Sequence, residues 1–152
     1  MTLTVISPDW PAPKCVKAAS TLRDGGVSVG PYASLNLSTR VDDDALAVAS
    51  NRCALHAALE LPAEPSWLEQ VHGTTVVDLD SAPANAADGA VTSRTDRVCA
   101  VLTADCLPVL LTTTVGERVG VAHAGWRGLA RGVLPAVVAA MAVIYLVLQQ
   151  LA

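Results

Sequence analysis

Three short segments hold the side chains best suited to chemistry: Gln70-Val71-His72-Gly73, Thr103-Ala104-Asp105-Cys106-Leu107-Pro108 and His123-Ala124-Gly125-Trp126-Arg127-Gly128. Two imidazoles and a thiolate, from His72, His123 and Cys106, are good ligands for zinc. Three protein ligands also leave a fourth position for water or substrate. A zinc ion there would lower the pKa of water and make hydroxide available near neutral pH. The same donors suit copper, which ranks above zinc in divalent affinity. Two alternatives need no metal: a pair of hydrogen-bonded histidines beside a buried cysteine, or Cys106 as a nucleophile with His72 or His123 as its base.

Each segment lies where a strand gives way to a loop, so a rigid sheet can project the side chains into one place. Leu107–Thr113 and Arg118–His123 read as a hairpin around Val115-Gly116-Glu117. An even-numbered turn would put Cys106 and His123 on one face, nearly opposite each other. Beyond His123, Gly125 and Gly128 allow close backbone approach, and Arg127 offers a planar donor fork for phosphate or carboxylate. A helix starting there would add its free N–H groups.

Upstream, a short strand opens the chain, Asp24-Gly25-Gly26 is a turn, and Val27–Leu37 suggests a strand and loop broken at Pro31. Asp42-Asp43-Asp44 caps a helix in which Leu46, Ala49, Cys53, Leu55 and Leu59 recur at near-helical spacing, with Pro62 as the stop. Thr74–Leu79 is β-rich, Ala87-Asp88-Gly89 reads as a turn, and Val98–Leu102 reads as a buried strand. Gly26-Val27-Ser28-Val29-Gly30 matches a nucleophile elbow, but Pro31-Tyr32 follows where a helix must begin, so it is set aside. His56 falls inside the helix, and Cys53 and Cys99 read as inert packing.

The 152 residues fit one domain, 1–152, and are 52% hydrophobic and 16% charged, which excludes a disordered tail. The net charge of −4, with no basic stripe, argues against nucleic acid and favours a small-molecule substrate. The four cysteines do not resemble a stapled scaffold, and the first residues lack a signal-peptide pattern, so a reducing cytoplasm is expected. Ala136–Leu148 is almost wholly apolar, but Pro135 and Gln149-Gln150 leave it short of a membrane span, so a C-terminal helix is expected.

QVHG, TADCLPV and HAGWRG, in that order, resemble the laccase-domain or polyphenol oxidase family, whose members are also described as purine nucleoside phosphorylases and peptidoglycan editing factors. The similarity extends through Ser34-Leu35-Asn36-Leu37, Asn51-Arg52 and Trp67-Leu68-Glu69-Gln70 to about Met141. The resemblance implies an α+β fold of mixed β-sheets with flanking helices, similar to the Cys–His hydrolase-like fold of the cytotoxic necrotizing factor type. It implies zinc (alternatively copper) on His72, Cys106 and His123, which are also the catalytic residues. It implies substrate contacts from Asn36, Gln70, Asp105 and Arg127. The implied activities are phosphorolysis of adenosine, inosine and methylthioadenosine, with phosphate as co-substrate, and adenosine deamination. Copper-dependent phenol oxidation, amide hydrolysis in peptidoglycan precursor editing and an inactive fragment are the alternatives. Two departures stand out: Arg40 replaces a histidine of the family pattern, and residues 142–152 do not continue as family members do. A truncated C-terminal part is therefore expected, with self-association through the apolar tail.

Overall fold

The computed structural model describes residues 3–149, with side-chain surroundings up to Ala142. The chain divides into two compact units, one of Met1–Pro11 with Lys17–Ala63 and the other of Ala12–Val16 with Glu64–Ala152. Both α-helices and several small sheets are present, as the α+β expectation requires.

In the first unit, strands β1 (Val5–Ile6) and β2 (Ser20–Thr21) pair antiparallel, and helix α1 spans Ala45–Ala58. Asp44 caps α1 by accepting the Leu46 N–H at 2.7 Å. The helix buries Val48, Asn51 and Leu55, while Leu46 is 80% exposed and Cys53 is exposed. Of the expected stripe Leu55 is buried, whereas Leu46, Ala49 and Cys53 are exposed, which corrects that part of the stripe and the reading of Cys53 as packing. The cause is polar. Asn51, fully buried, accepts the Val27 N–H and donates to Ser28 Oγ and the carbonyls of Ser34 and Asn36, all within 3.2 Å. The helix turns this amide inward because it satisfies a loop that would otherwise bury unpaired backbone groups. That loop, expected to contain a strand, holds only a short 3-10 turn at Gly30–Tyr32. Ser28 is buried and donates to Asp43, which disposes of the nucleophile-elbow pattern.

The second unit contains β3 (Ser66–Trp67), β4 (Val76–Asp78), β5 (Gly89–Thr92), β6 (Cys99–Ala100), β7 (Leu107–Thr112) and β8 (Val119–Ala124), then α2 (Trp126–Arg131) and α3 (Val133–Gln149). β3 and β6 pair in parallel, and the other four form a sheet ordered β4-β5-β8-β7. The run Val98–Leu102 thus yields a strand of two half-buried residues rather than a buried one. The hairpin is as expected, with Leu107 opposite Ala124 and Thr112 opposite Val119. Residues 87–89 are not a turn. Gly89 begins β5, all four residues of which are buried.

Alternation along β8 divides the sheet's two faces. Ala122, Ala124 and Val91 pack against Val133 and Val137 of α3. Glycine at position 89 is a steric requirement, since a Cβ there would lie 2.6 Å from Val137 Cγ2, and Gly120 is tightly packed, with a Cβ there 3.1 Å from Val137 Cγ1. The opposite face carries Val77, Ala90 and Val121, clustered with Leu68, Leu79 and Ala87. Among the described residues, no helix is long and apolar enough to cross a membrane.

Candidate metal centre

His123 lies near the end of β8 on the face opposite α3, with Pro108 of β7 as its cross-strand partner. Cys106 precedes β7, diagonal to His123 on the same face, so the expected convergence holds. His72 arrives from the loop before β4 in a left-handed conformation, φ +58°. A residue with a Cβ adopts this at a cost of about 1–2 kcal/mol, so something must hold it. Asp88, fully buried, does so: its carboxylate accepts the N–H groups of Val71, His72 and Gly73 at 3.2, 2.9 and 2.7 Å. Successive N–H groups converging in this way form a nest for an anion.

The β5–β8 register extends one residue past Gly89 and Ala122, with the His123 N–H bonded to the Asp88 carbonyl at 2.7 Å. The two side chains are therefore cross-strand neighbours, and His123 Nδ1 lies 2.8 Å from Asp88 Oδ1. Burial alone would raise the Asp88 pKa. The hydrogen bonds from His123 and the three loop amides outweigh it and hold the carboxyl below its ordinary value.

The His72 and His123 rings meet edge to face at 75°, centroids 4.7 Å apart. Cys106 Sγ lies 3.8 Å from His72 Nε2, and one ligand atom from each of His72, Cys106 and His123 falls within 4.8 Å of the others. Two such donors around a tetrahedral zinc ion sit roughly 3.3–3.8 Å apart, so small side-chain movements would complete a three-ligand sphere. Gly125 leaves the space: a Cβ there would come within 2.9 Å of both Cys106 Sγ and His72 Cδ2. Burial, then the charge and hydrogen bonding of Asp105, pushes the Cys106 thiol pKa up. A metal ion would reverse that balance.

The remaining expected residues are placed as follows. Gln70 donates to the Leu102 carbonyl and accepts the Leu102 N–H, both at 2.7 Å, so its amide joins two backbone segments. Asp105 is exposed beside Cys106. Arg127 is exposed at the start of α2, its guanidinium 4.8 Å from the Trp126 ring centroid. Asn36 belongs to the other unit, where its amide donates to Asp43 and Ser38. His56 is in α1, outside the ligand group. Cys99 is buried enough to push its thiol to about 12, as inert packing requires. Asp88 is the site residue that sequence reasoning missed. Its Asp-Gly pair suggested a turn, and only the β5–β8 register puts it opposite His123.

A family model described as multi-copper polyphenol oxidoreductase laccase matches residues 17–149. The chain belongs to this family. Within the laccase-like family, relatives include a purine nucleoside phosphorylase of Pseudomonas aeruginosa, 51% identical over 138 residues, covering 91% of this chain and 56% of the relative. Another is purine nucleoside phosphorylase YfiH of Escherichia coli, 49% identical over 140 residues, covering 91% and 58%. Among solved structures, a Neisseria meningitidis protein superposes with a TM-score of 0.84 at 46% identity, covering 91% of this chain and 57% of that one. YlmD of Geobacillus stearothermophilus gives 0.69 at 34% identity, covering 77% and 48%. The chain spans little more than half the length of the curated relatives it matches.

Proposed function

We infer that this chain carries the zinc centre of a cytoplasmic purine nucleoside enzyme, one that phosphorolyses adenosine, inosine and methylthioadenosine and deaminates adenosine. The observation behind this reading is the meeting of His72, Cys106 and His123 on one sheet face, in a family whose relatives bear the name purine nucleoside phosphorylase. A bound zinc ion would supply Lewis acidity and a low-pKa water at the purine ring. The chain's own residues bind and orient. Arg127, stacked on Trp126, presents its fork to phosphate, and Asp105 offers an exposed acceptor beside Cys106 for a substrate hydroxyl or amine. In phosphorolysis a phosphate oxygen forms the new bond to the sugar's anomeric carbon. The glycosidic C–N bond breaks, and the purine nitrogen leaves with the electron pair and takes up a proton.

Two other readings have a specific observation each. The family's description favours copper-dependent oxidation of phenols. The 3.8 Å approach of Cys106 Sγ to His72 Nε2 favours a Cys–His nucleophile for amide hydrolysis, the chemistry of the Cys–His hydrolase-like fold, acting on peptidoglycan precursors. The raised thiol pKa weighs against a thiolate at rest. Metal analysis with a mass-spectrometric substrate assay separates the three. Zinc near one per chain, with hypoxanthine and ribose 1-phosphate formed from inosine and phosphate, supports the nucleoside reading. Bound copper with phenol oxidation, or metal-free turnover stopped by thiol alkylation, overturns it. No turnover by this chain, with activity restored in a protein carrying a C-terminal extension, identifies an inactive fragment.

A further inference from the structure

We propose that Asp88 is a positioning residue whose single carboxylate holds both imidazole ligands in their metal-binding forms. One oxygen, Oδ1, takes the His72 N–H at 2.9 Å and faces His123 Nδ1 at 2.8 Å. The other, Oδ2, takes the N–H groups of Val71 and Gly73 at 3.2 and 2.7 Å. An ionised carboxylate only accepts, so the imidazole proton of His123 sits on Nδ1 and Nε2 presents a bare lone pair. The same group stabilises the left-handed His72 backbone by gathering the amides on either side of it. Both ligands are thus prepared before any metal arrives, and both depend on one side chain with no exposed surface.

An isosteric amide cannot do both jobs. With its oxygen in the Oδ2 position, the Asp88→Asn side chain turns its NH2 toward His123. Nδ1 must then accept, and the proton moves to Nε2, where a metal would bind. With its oxygen in the Oδ1 position, the NH2 faces two backbone N–H groups, and the turn carrying His72 loses its support. Either orientation removes one imidazole.

The tautomer can be read without metal, so this part of the test is independent of the zinc assignment. Metal-free protein labelled with 15N-histidine carries only three such residues, and His56→Ala and His72→Ala together assign their signals by elimination. In its neutral form, wild-type His123 is expected to show a protonated Nδ1 and a bare Nε2. Asp88→Asn is expected to exchange the two or to shift the His72 backbone amide, and to weaken zinc binding 10- to 100-fold. A protonated Nε2 on His123 in the wild type overturns the proposal even if the variant does not fold. So does unchanged zinc affinity in a folded Asp88→Asn protein. A wild type with the expected tautomer and no zinc affinity overturns the zinc reading and leaves the tautomer assignment standing.

Discussion

Replacing Gly125 with alanine isolates the space the metal centre needs. The Gly125 backbone, φ −65° and ψ 156°, is extended, so alanine adopts it without strain. Restricting the unfolded chain would even stabilise the fold by about 0.4–1 kcal/mol, offset in part because alanine is a poorer N-cap for α2 than glycine. The steric effect is local. A Cβ at 2.9 Å from Cys106 Sγ and from His72 Cδ2 must be relieved to the ordinary 3.5–4.0 Å, a retreat of roughly 0.6–1 Å. Both side chains are half-buried and can swing outward while no metal holds them. Metal–ligand distances tolerate only about 0.2 Å. The loaded state therefore carries the overpacking cost, about 1–3 kcal/mol, equivalent to a 5- to 140-fold loss of affinity. Competition with a chromophoric chelator measures that affinity, and thermal melting of metal-free protein measures the fold. Affinity within twofold of wild type would refute the reasoning. So would an equal loss of stability in the metal-free protein, because the clash would then act on the fold rather than on the ligand sphere.

His72→Ala and Cys106→Ser are each expected to abolish tight zinc binding, while His56→Ala leaves it unchanged; metal content after dialysis checks all three. Asn51→Ala should cost about 2 kcal/mol or more in urea unfolding, since it removes the partner of the Val27 N–H and of the Asn36 carbonyl in a part-buried loop, while the Ser34 carbonyl keeps the Ser28 N–H. Hydrogen bonds from Asn36, Ser28 and the Asp44 backbone lower the Asp43 pKa. Its contribution to stability is therefore present above the ordinary carboxylate value near 3.8 and lost as pH falls through the lowered value. Asp43→Asn should flatten the acid limb of stability against pH, and an unchanged limb would count against these bonds.

The parts of the fold legible in the sequence are those in which a local rule has no competitor. The β7–β8 hairpin shows period-two alternation around a glycine-centred turn, and Asp44 stands where an N-cap must. The grouping of His72, Cys106 and His123 was legible because imidazole and thiolate at strand ends form a short list. What escaped was set by partners distant in the chain. Asn51 turns α1 away from its most apolar stripe because the loop at residues 27–36 needs an internal acceptor and donor. Asp88-Gly89 has the composition of a turn, and only pairing with β8 on one side and packing under Val137 on the other makes it the start of a buried strand.

Those two constraints on β5 bear on each other. Gly89 touches α3 through a contact that admits no Cβ, and the residue before it points to the other face, where its carboxylate braces the ligands. A strand free to slide on the helix would carry Asp88 with it and loosen His72 and His123 together. The close packing of Gly89 under Val137 opposes that sliding, and a metal sphere would need positions held to a few tenths of an ångström. The apolar helix thus serves the site at a distance. A larger residue at Gly89 would be felt at the ligands through Asp88, although the two face opposite sides of the sheet.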